Sequence, residues 1–207
     1  MTFDPVAVST VFAQTDREVW LLAATDGERR GGLIATSVAS ASIVSDLPRI
    51  VLSLGKQHHT WKLVESSLKF VLHLLRDDQL ELAWQFATTT GHHGDKFAEL
   101  AFEAGPCGPR LTDAAGWLDG VVETSLDLGD RTLYVVEIVE GQWIGPGPAL
   151  TVQRMIRTAA PDQLRLVKSQ MAEHGAADAE AIRRWRSRAE SPRGDSLPPS
   201  ASGRGLG

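Results

Sequence analysis

The sequence has a single cysteine, Cys107. It can form no internal disulfide and supplies no thiolate metal cluster, which points to a reducing, cytoplasmic setting. Long apolar runs are also missing, and none approaches the ~20 residues that a membrane-spanning helix needs. The N-terminal stretch MTFDPVAVST carries Asp4 where a secretory leader would carry basic residues, so neither a leader nor membrane association is expected. There is no Gly-x-Gly-x-x-Gly run after a strand, no Gly-Lys-Ser/Thr phosphate loop and no Gly-x-Ser-x-Gly elbow. Their absence removes the usual sequence signals for dinucleotide folds, P-loop NTPases and serine hydrolases.

Positive charge is in short supply over most of the chain. The net charge is −5, and six arginines from Arg183 onward (183, 184, 186, 188, 193, 204) against Glu190 and Asp195 give that end +4, leaving −9 for the remainder. An acidic body does not suit a surface that must neutralise many phosphates, so nucleic acid is not an expected partner. Two histidine pairs, His58-His59 and His92-His93, suggest a metal, but adjacent side chains diverge on a strand and sit ~100° apart on a helix. No metal site is expected.

With 207 residues, 43% of them hydrophobic, the chain can build one substantial core plus a tail. EVWLLAAT (Glu18 to Thr25) reads as a strand ending in the turn chemistry of DGERRGG. RIVLSLG places Ile50, Leu52 and Leu54 on one face, and KFVLHLL is continuous enough for a strand buried on both sides. Two long strands, AAGWLDGVVETSLDLGD and RTLYVVEIVEGQWIG, flank a turn at Gly129-Asp130. Helices are expected after Thr60, read as an N-cap, and after Asp77 and Asp78, read as caps for a helix carrying Leu80, Ala83, Trp84 and Ala87. A last helix should start at Pro161 and run to about Arg188, with Leu164, Val167 and Met171 on one stripe, a break at Gly175, and Ile182 and Trp185 on a later stripe. These patterns predict a mainly β barrel or sandwich over residues 1–150, a helical extension over 151–188 and a disordered tail over 189–207.

The segment GGLIATSVASASIVSDLPRIVLSLGKQHHTW is short of large side chains. Half of the ten residues from Thr36 to Ser45 are Ser or Thr. A segment that only had to bury itself would carry more bulk, since each buried methylene contributes about 0.8 kcal/mol. Small residues instead suit a backbone that must aim N–H and C=O groups at the polar edge of a flat ligand without Cβ atoms in the way.

Four pieces occur in a fixed order: this segment, then TWKLVESSLKFVLHLL, then GDKF (Gly94 to Phe97), then GDRTLYVVEI. Together they make residues 15–143 resemble the flavin reductase-like, FMN-binding split-barrel family. That resemblance implies a split β-barrel with short helices and a C-terminal helical extension. It also implies a homodimer, with FMN or FAD in a groove near the dimer interface. Thr36, Ser37 and Ser40 would line the flavin ring. Ser53, Gly55, Lys56 and Thr60 would neighbour the ribityl chain and phosphate, and Asp95 and Lys96 would lie close by, Lys96 reaching a phosphate or an adenylate extension. For the hydroxyl residues a local backbone partner is the other reading, for Lys56 a solvated lysine, and for Phe97 a core position.

The chain departs from the family's pattern at three places. Gln57, His58 and His59 stand where small hydroxyl residues are usual. Arg131 follows Gly-Asp where a histidine is common, close to the nicotinamide, so it would clamp an NAD(P)H phosphate, pair with Asp130 or block stacking. Helix and tail replace a Tyr/His-rich closing strand. The resemblance implies hydride transfer from NAD(P)H to flavin, the nicotinamide approaching the ring at ~3 to 3.5 Å without a protein acid or base. A partner oxygenase would receive the reduced flavin. A second reading is an FMN-retaining electron-transfer flavoprotein that exchanges electrons with an acceptor protein and lacks NAD(P)H activity; a third is a barrel that has lost flavin and serves as an interaction module.

Overall fold

The computed structural model of the protein describes residues 4–88 and 96–190. Helix α1 (Pro5–Ala13) opens the chain, capped by Asp4, whose Oδ1 accepts from the N–H groups of Val6 and Ala7 at 2.9 and 3.2 Å. Strands β1 (Trp20–Thr25), β2 (Arg30–Ala35), β3 (Val38–Ser40) and β4 (Arg49–Gly55) follow. Next come α2 (His59–Ser67), β5 (Lys69–Leu74) and α3 (Leu80–Thr88), then the short β6 (Phe102–Ala104) and β7 (Pro109–Leu111). The long β8 (Gly116–Asp127) and β9 (Arg131–Trp143) precede α4 (Val152–Thr158) and the 30-residue α5 (Pro161–Glu190).

Seven strands form one strongly curled antiparallel sheet in the order β2-β1-β5-β8-β9-β4-β3, a half-barrel. Its two edge strands are consecutive in the chain. Only Thr36 and Ser37 separate Ala35, the end of β2, from Val38, the start of β3, and so short a link forces opposite edges of the sheet together. The mainly β, split-barrel expectation is met, with the ladder open between β2 and β3 among the described residues.

Alternation decides what fills the interior. Leu22, Leu33, Ile50, Leu52, Leu54, Phe70, Leu72, Tyr134 and Val136 point inward and are joined by Leu63 and Val64 of α2. The intervening residues of β1, Leu21 and Ala23, meet a second cluster outside the sheet with Ala83, Trp84, Phe86, Phe97, Leu150 and Met155. That is why β1 and β5 read as unbroken apolar runs: both of their faces are covered. Gly32 of β2 faces the second cluster, and a Cβ there would lie 2.6 Å from Phe86 Cε1 and 2.9 Å from Phe97 Cζ. Gly32→Ala is expected to cost about 1 to 3 kcal/mol through overpacking, read as a lowered urea midpoint with unchanged slope.

Several local expectations are corrected. The N-cap of α2 is His58, without a side-chain capping bond, and Thr60 is instead buried in the first turn. Asp77 and Asp78 do not cap α3; they pair with Arg154 and Arg76, both at 3.0 Å. Helix α5 runs through Gly175 unbroken, and Met171 is 69% exposed rather than on the contact stripe. The sequence reading did not foresee α1, and α4 lies within the expected helical extension as a separate short helix. The tail from residue 191 lies outside the described residues.

Candidate functional site

Six of the sequence-predicted site residues, Ser37, Ser40, Ser53, Gly55, Lys56 and Arg131, lie along β4 or beside it. Ser40 stands opposite Ile50, and the carbonyl of Ser37 accepts from the Ser53 N–H at 3.4 Å. At the far end Gly55 stands opposite Arg131 of β9, and the Lys56 N–H donates to the Asp130 carbonyl at 3.0 Å. At ~3.4 Å per residue, the line from Ile50 to Gly55 is roughly 17 Å long. Because Ile50, Leu52 and Leu54 point into the barrel, Ser53 and Gly55 belong to the opposite face, as does Arg131, the cross-strand partner of Gly55, whereas Ser40, the partner of Ile50, belongs to the inward face at its exposed end. Thr36 is half-buried and Ser37 and Ser40 are exposed, so the small side chains stand at the surface where the sheet edges meet. Ser40 also borders an open depression of about 610 Å³ with Ala41, Ser42, Ile43 and Val44. Ser40 Oγ donates to the Ser42 carbonyl at 3.0 Å, the local bond that the alternative reading of this serine anticipated.

Cationic groups gather at the other end. Lys56 Nζ is held by Asp127 at 2.6 Å, an attraction that keeps the Asp127 carboxyl below the usual range. Arg131 Nε contacts Asp130 at 2.8 Å, with Asp130 nearly buried and Arg131 39% exposed. Of the three roles considered for Arg131, pairing with Asp130 is therefore the geometry observed. Lys96 Nζ lies 3.4 Å from the carbonyls of both Gly32 and Phe86, and burial lowers its pKa. Thr60 turns inward, its Oγ1 3.1 Å from where a Cβ on Gly31 would stand. Asp95 lies outside the described residues.

His58 stands at the mouth of α2. Burial lowers its pKa, and the nearby His174, Lys96 and Arg131 lower it further, against a raising effect from Asp178. Its ring meets His174 of α5 edge-on, with centroids 6.1 Å apart.

A family model of the flavin reductase like domain matches residues 12–160. The chain belongs to the flavin reductase-like family. The reductase component of a 4-nitrophenol 4-monooxygenase/4-nitrocatechol 2-monooxygenase from Rhodococcus opacus is 33% identical over 132 residues, covering 64% of this chain and 68% of that protein. A flavin reductase domain protein from Arthrobacter sp. FB24 superposes with a TM-score of 0.64 at 30% identity, covering 72% of this chain and 90% of its own. An NADH:FAD oxidoreductase from Streptomyces globisporus C-1027, in complex with NAD and FAD fragments, shares the fold with a TM-score of 0.65 at 21% identity, covering 78% and 98%.

The family match stops at residue 160, immediately before α5. His174 and Asp178 are thus site-facing residues that the sequence reading missed, since it split α5 at Gly175. The available signal was the polar trio Gln170, His174 and Asp178 at intervals of four, continuing the spacing of Leu164 and Val167.

Proposed function

We propose that the protein is an NAD(P)H-dependent flavin reductase of the cytoplasm that takes FMN or FAD and supplies reduced flavin to a partner oxygenase. The observation that carries this reading is the single line of small and cationic residues along β4, from Ser40 past Ser37 and Ser53 to Gly55 and Lys56. Such a line fits a flavin: short side chains and backbone groups face the ring at one end, and cations meet the phosphate at the other. Thr36, Ser37 and Ser40 would hold the ring, and Ser53, Gly55 and Lys56 the ribityl and phosphate groups, with Lys96 beside them; the Thr60 hydroxyl, buried against Gly31, is turned away from this line. A bound flavin supplies the two-electron chemistry, and the chain's part is to hold and orient it. The Rhodococcus relative, a monooxygenase reductase component, supports the oxygenase partner. The Streptomyces structure, by its NAD and FAD fragments, supports the nicotinamide co-substrate.

In this reading residues 1–150 form the flavin-handling unit, which pairs as a homodimer, and residues 151–188 are an addition to it. Among the described residues no helix is long and apolar enough to cross a membrane.

Arg131 has its Nε committed to Asp130, and its role in this reading is to meet the nicotinamide dinucleotide with the rest of its fork. Arg131→Ala is expected to raise the KM for NAD(P)H about tenfold, the worth of one charge-assisted hydrogen bond, with riboflavin affinity unchanged. Steady-state kinetics alongside riboflavin titration would check it, and an unchanged KM would remove Arg131 from the nicotinamide side.

The same Arg131–Asp130 pair favours a second reading, a flavoprotein that retains FMN and passes electrons to an acceptor protein, because a side chain fixed there can obstruct nicotinamide stacking. A visible spectrum of the purified protein with FMN, recorded anaerobically before and after NADH or NADPH, separates the two. Bleaching beyond the free-flavin control supports the reductase. Bound flavin that does not bleach supports electron transfer.

A further inference from the structure

Helix α5 touches the body along one stripe. Its half-buried residues include Leu164, Val167, Gln170, His174, Asp178, Ile182 and Trp185, spaced by threes and fours, so a single face is in contact along most of the helix's ~45 Å. The two ends of the stripe are apolar. Leu164 and Val167 pack on the second core cluster. Near the other end, a Cβ on Gly129 in the β8–β9 turn would lie 2.8 Å from both the Ala181 carbonyl oxygen and Trp185 Cβ. With φ +93° and no space for a side chain, Gly129 marks a close seat for the helix.

Between these anchors the stripe turns polar. Gln170 Nε2 donates to the Thr88 carbonyl at 3.2 Å, and His174 and Asp178 come next. A helix held by packing alone would keep its contact face apolar throughout. The change falls where α5 faces the cationic end of the candidate site. There His174 meets His58 at the start of α2 edge-on, and Lys96 in the segment after α3 and Arg131 of β9 also act on His58, with Asp178 the carboxylate opposing them. Asp130 already pairs with Arg131, so the cationic groups that face His58 from three other elements are only partly offset by carboxylates, and an anion placed among them would be stabilised. Guanidinium, ammonium and imidazolium groups are the donors that a phosphoryl group requires.

We propose that α5 completes an anion site and that His174 is the residue it contributes, the ligand being the phosphoryl group of a bound nucleotide. The site rests on the flavin reading for the identity of that nucleotide: the phosphate of FMN, or a phosphate of the nicotinamide dinucleotide. An anion favours the charged form of any imidazole that meets it, so nucleotide affinity is expected to rise as pH falls. Arg131 keeps its charge throughout. Because α5 lies beyond the family match, this grip is a feature of the chain's own extension.

The test uses the full chain, FMN and riboflavin as probes, and the variants His174→Gln and His174→Lys, titrated by flavin fluorescence at pH 6.5 and 8.0. Riboflavin has the same ring without the phosphate. The expected result is that His174→Gln weakens FMN about tenfold at pH 6.5 and leaves riboflavin unchanged, while His174→Lys restores FMN affinity and makes it depend less on pH than in wild type. If FMN is unaffected but the KM for NADPH rises and is restored in the same way, the phosphoryl group is that of the dinucleotide and the site stands. Equal weakening of FMN and riboflavin, or no change with any nucleotide, overturns the proposal. Should wild type bind no flavin, the flavin reading falls by itself. Inorganic phosphate, followed on the imidazole C–H resonances, then decides the anion site: joint shifts of His58 and His174 uphold it, and silence removes it.

Discussion

Thr36→Tyr is expected to abolish flavin binding, with a loss of at least about a hundredfold, or ~2.7 kcal/mol, while the fold remains intact. Thr36 begins the two-residue link that carries the chain from β2 to β3 across the split in the sheet. A phenol there would occupy the space that short side chains leave for a flat ring. The barrel should tolerate it, because Thr36 is half-exposed and belongs to neither of the two main core clusters. The neighbouring bond from the Ser53 N–H to the Ser37 carbonyl involves backbone alone. FMN fluorescence quenching together with far-ultraviolet circular dichroism and a thermal melt would check both halves. Ser45→Tyr, placed on an exposed residue of the same stretch, serves as the control for added bulk. A Thr36→Tyr protein that melts normally and still titrates FMN would show that the ring lies elsewhere.

The parts of the fold that were legible in the sequence are those set by local alternation. Ile50, Leu52 and Leu54 announce the inward face of β4, and the run from Phe70 to His73 announces a strand covered on both sides. The candidate ring end was proposed from the same kind of signal, since a shortage of side-chain volume is a local property. What escaped depends on partners far away in the chain. Lys56 read as a phosphate neighbour or a solvated lysine, and its partner Asp127 stands 71 residues on. Asp77 had the position of a helix cap, but Arg154 claims it from 77 residues away. Thr60 carries a capping side chain, yet the small Gly31 opposite lets it pack inward. Gly175 argued for a break because glycine costs about 1 kcal/mol relative to alanine within a helix. Contacts at both ends of α5 outweigh that cost, so the residues brought over the cationic end could not be read from propensity.

The second large effect concerns acid. His73 is wholly buried in β5, where its Nδ1 lies 3.0 Å from the Leu21 carbonyl and its Nε2 accepts from the Leu111 N–H, also at 3.0 Å. These two bonds select the neutral ring with its proton on Nδ1. They tie β7 to the central strands, one on each side of the ring. Burial pushes the His73 pKa down to about 4, against smaller raising effects from the Leu21 carbonyl and Asp119. With the folded pKa below the unfolded value of about 6.5, the unfolded chain binds the extra proton first. The stabilisation is therefore present above pH 6.5 and is lost as pH falls towards 4. Between pH 7 and pH 4.5 the loss from this residue is about 2 to 3 kcal/mol, a large part of a typical 5 to 15 kcal/mol stability. Protonating Nε2 would also set an N–H against the Leu111 N–H, so the acid transition should begin with release of the β6–β7 hairpin from β5. His73→Gln keeps one donor and one acceptor and cannot titrate. Urea unfolding across this pH range should show a flatter profile for that variant by about one proton, and identical profiles would mean that His73 does not govern the acid limit.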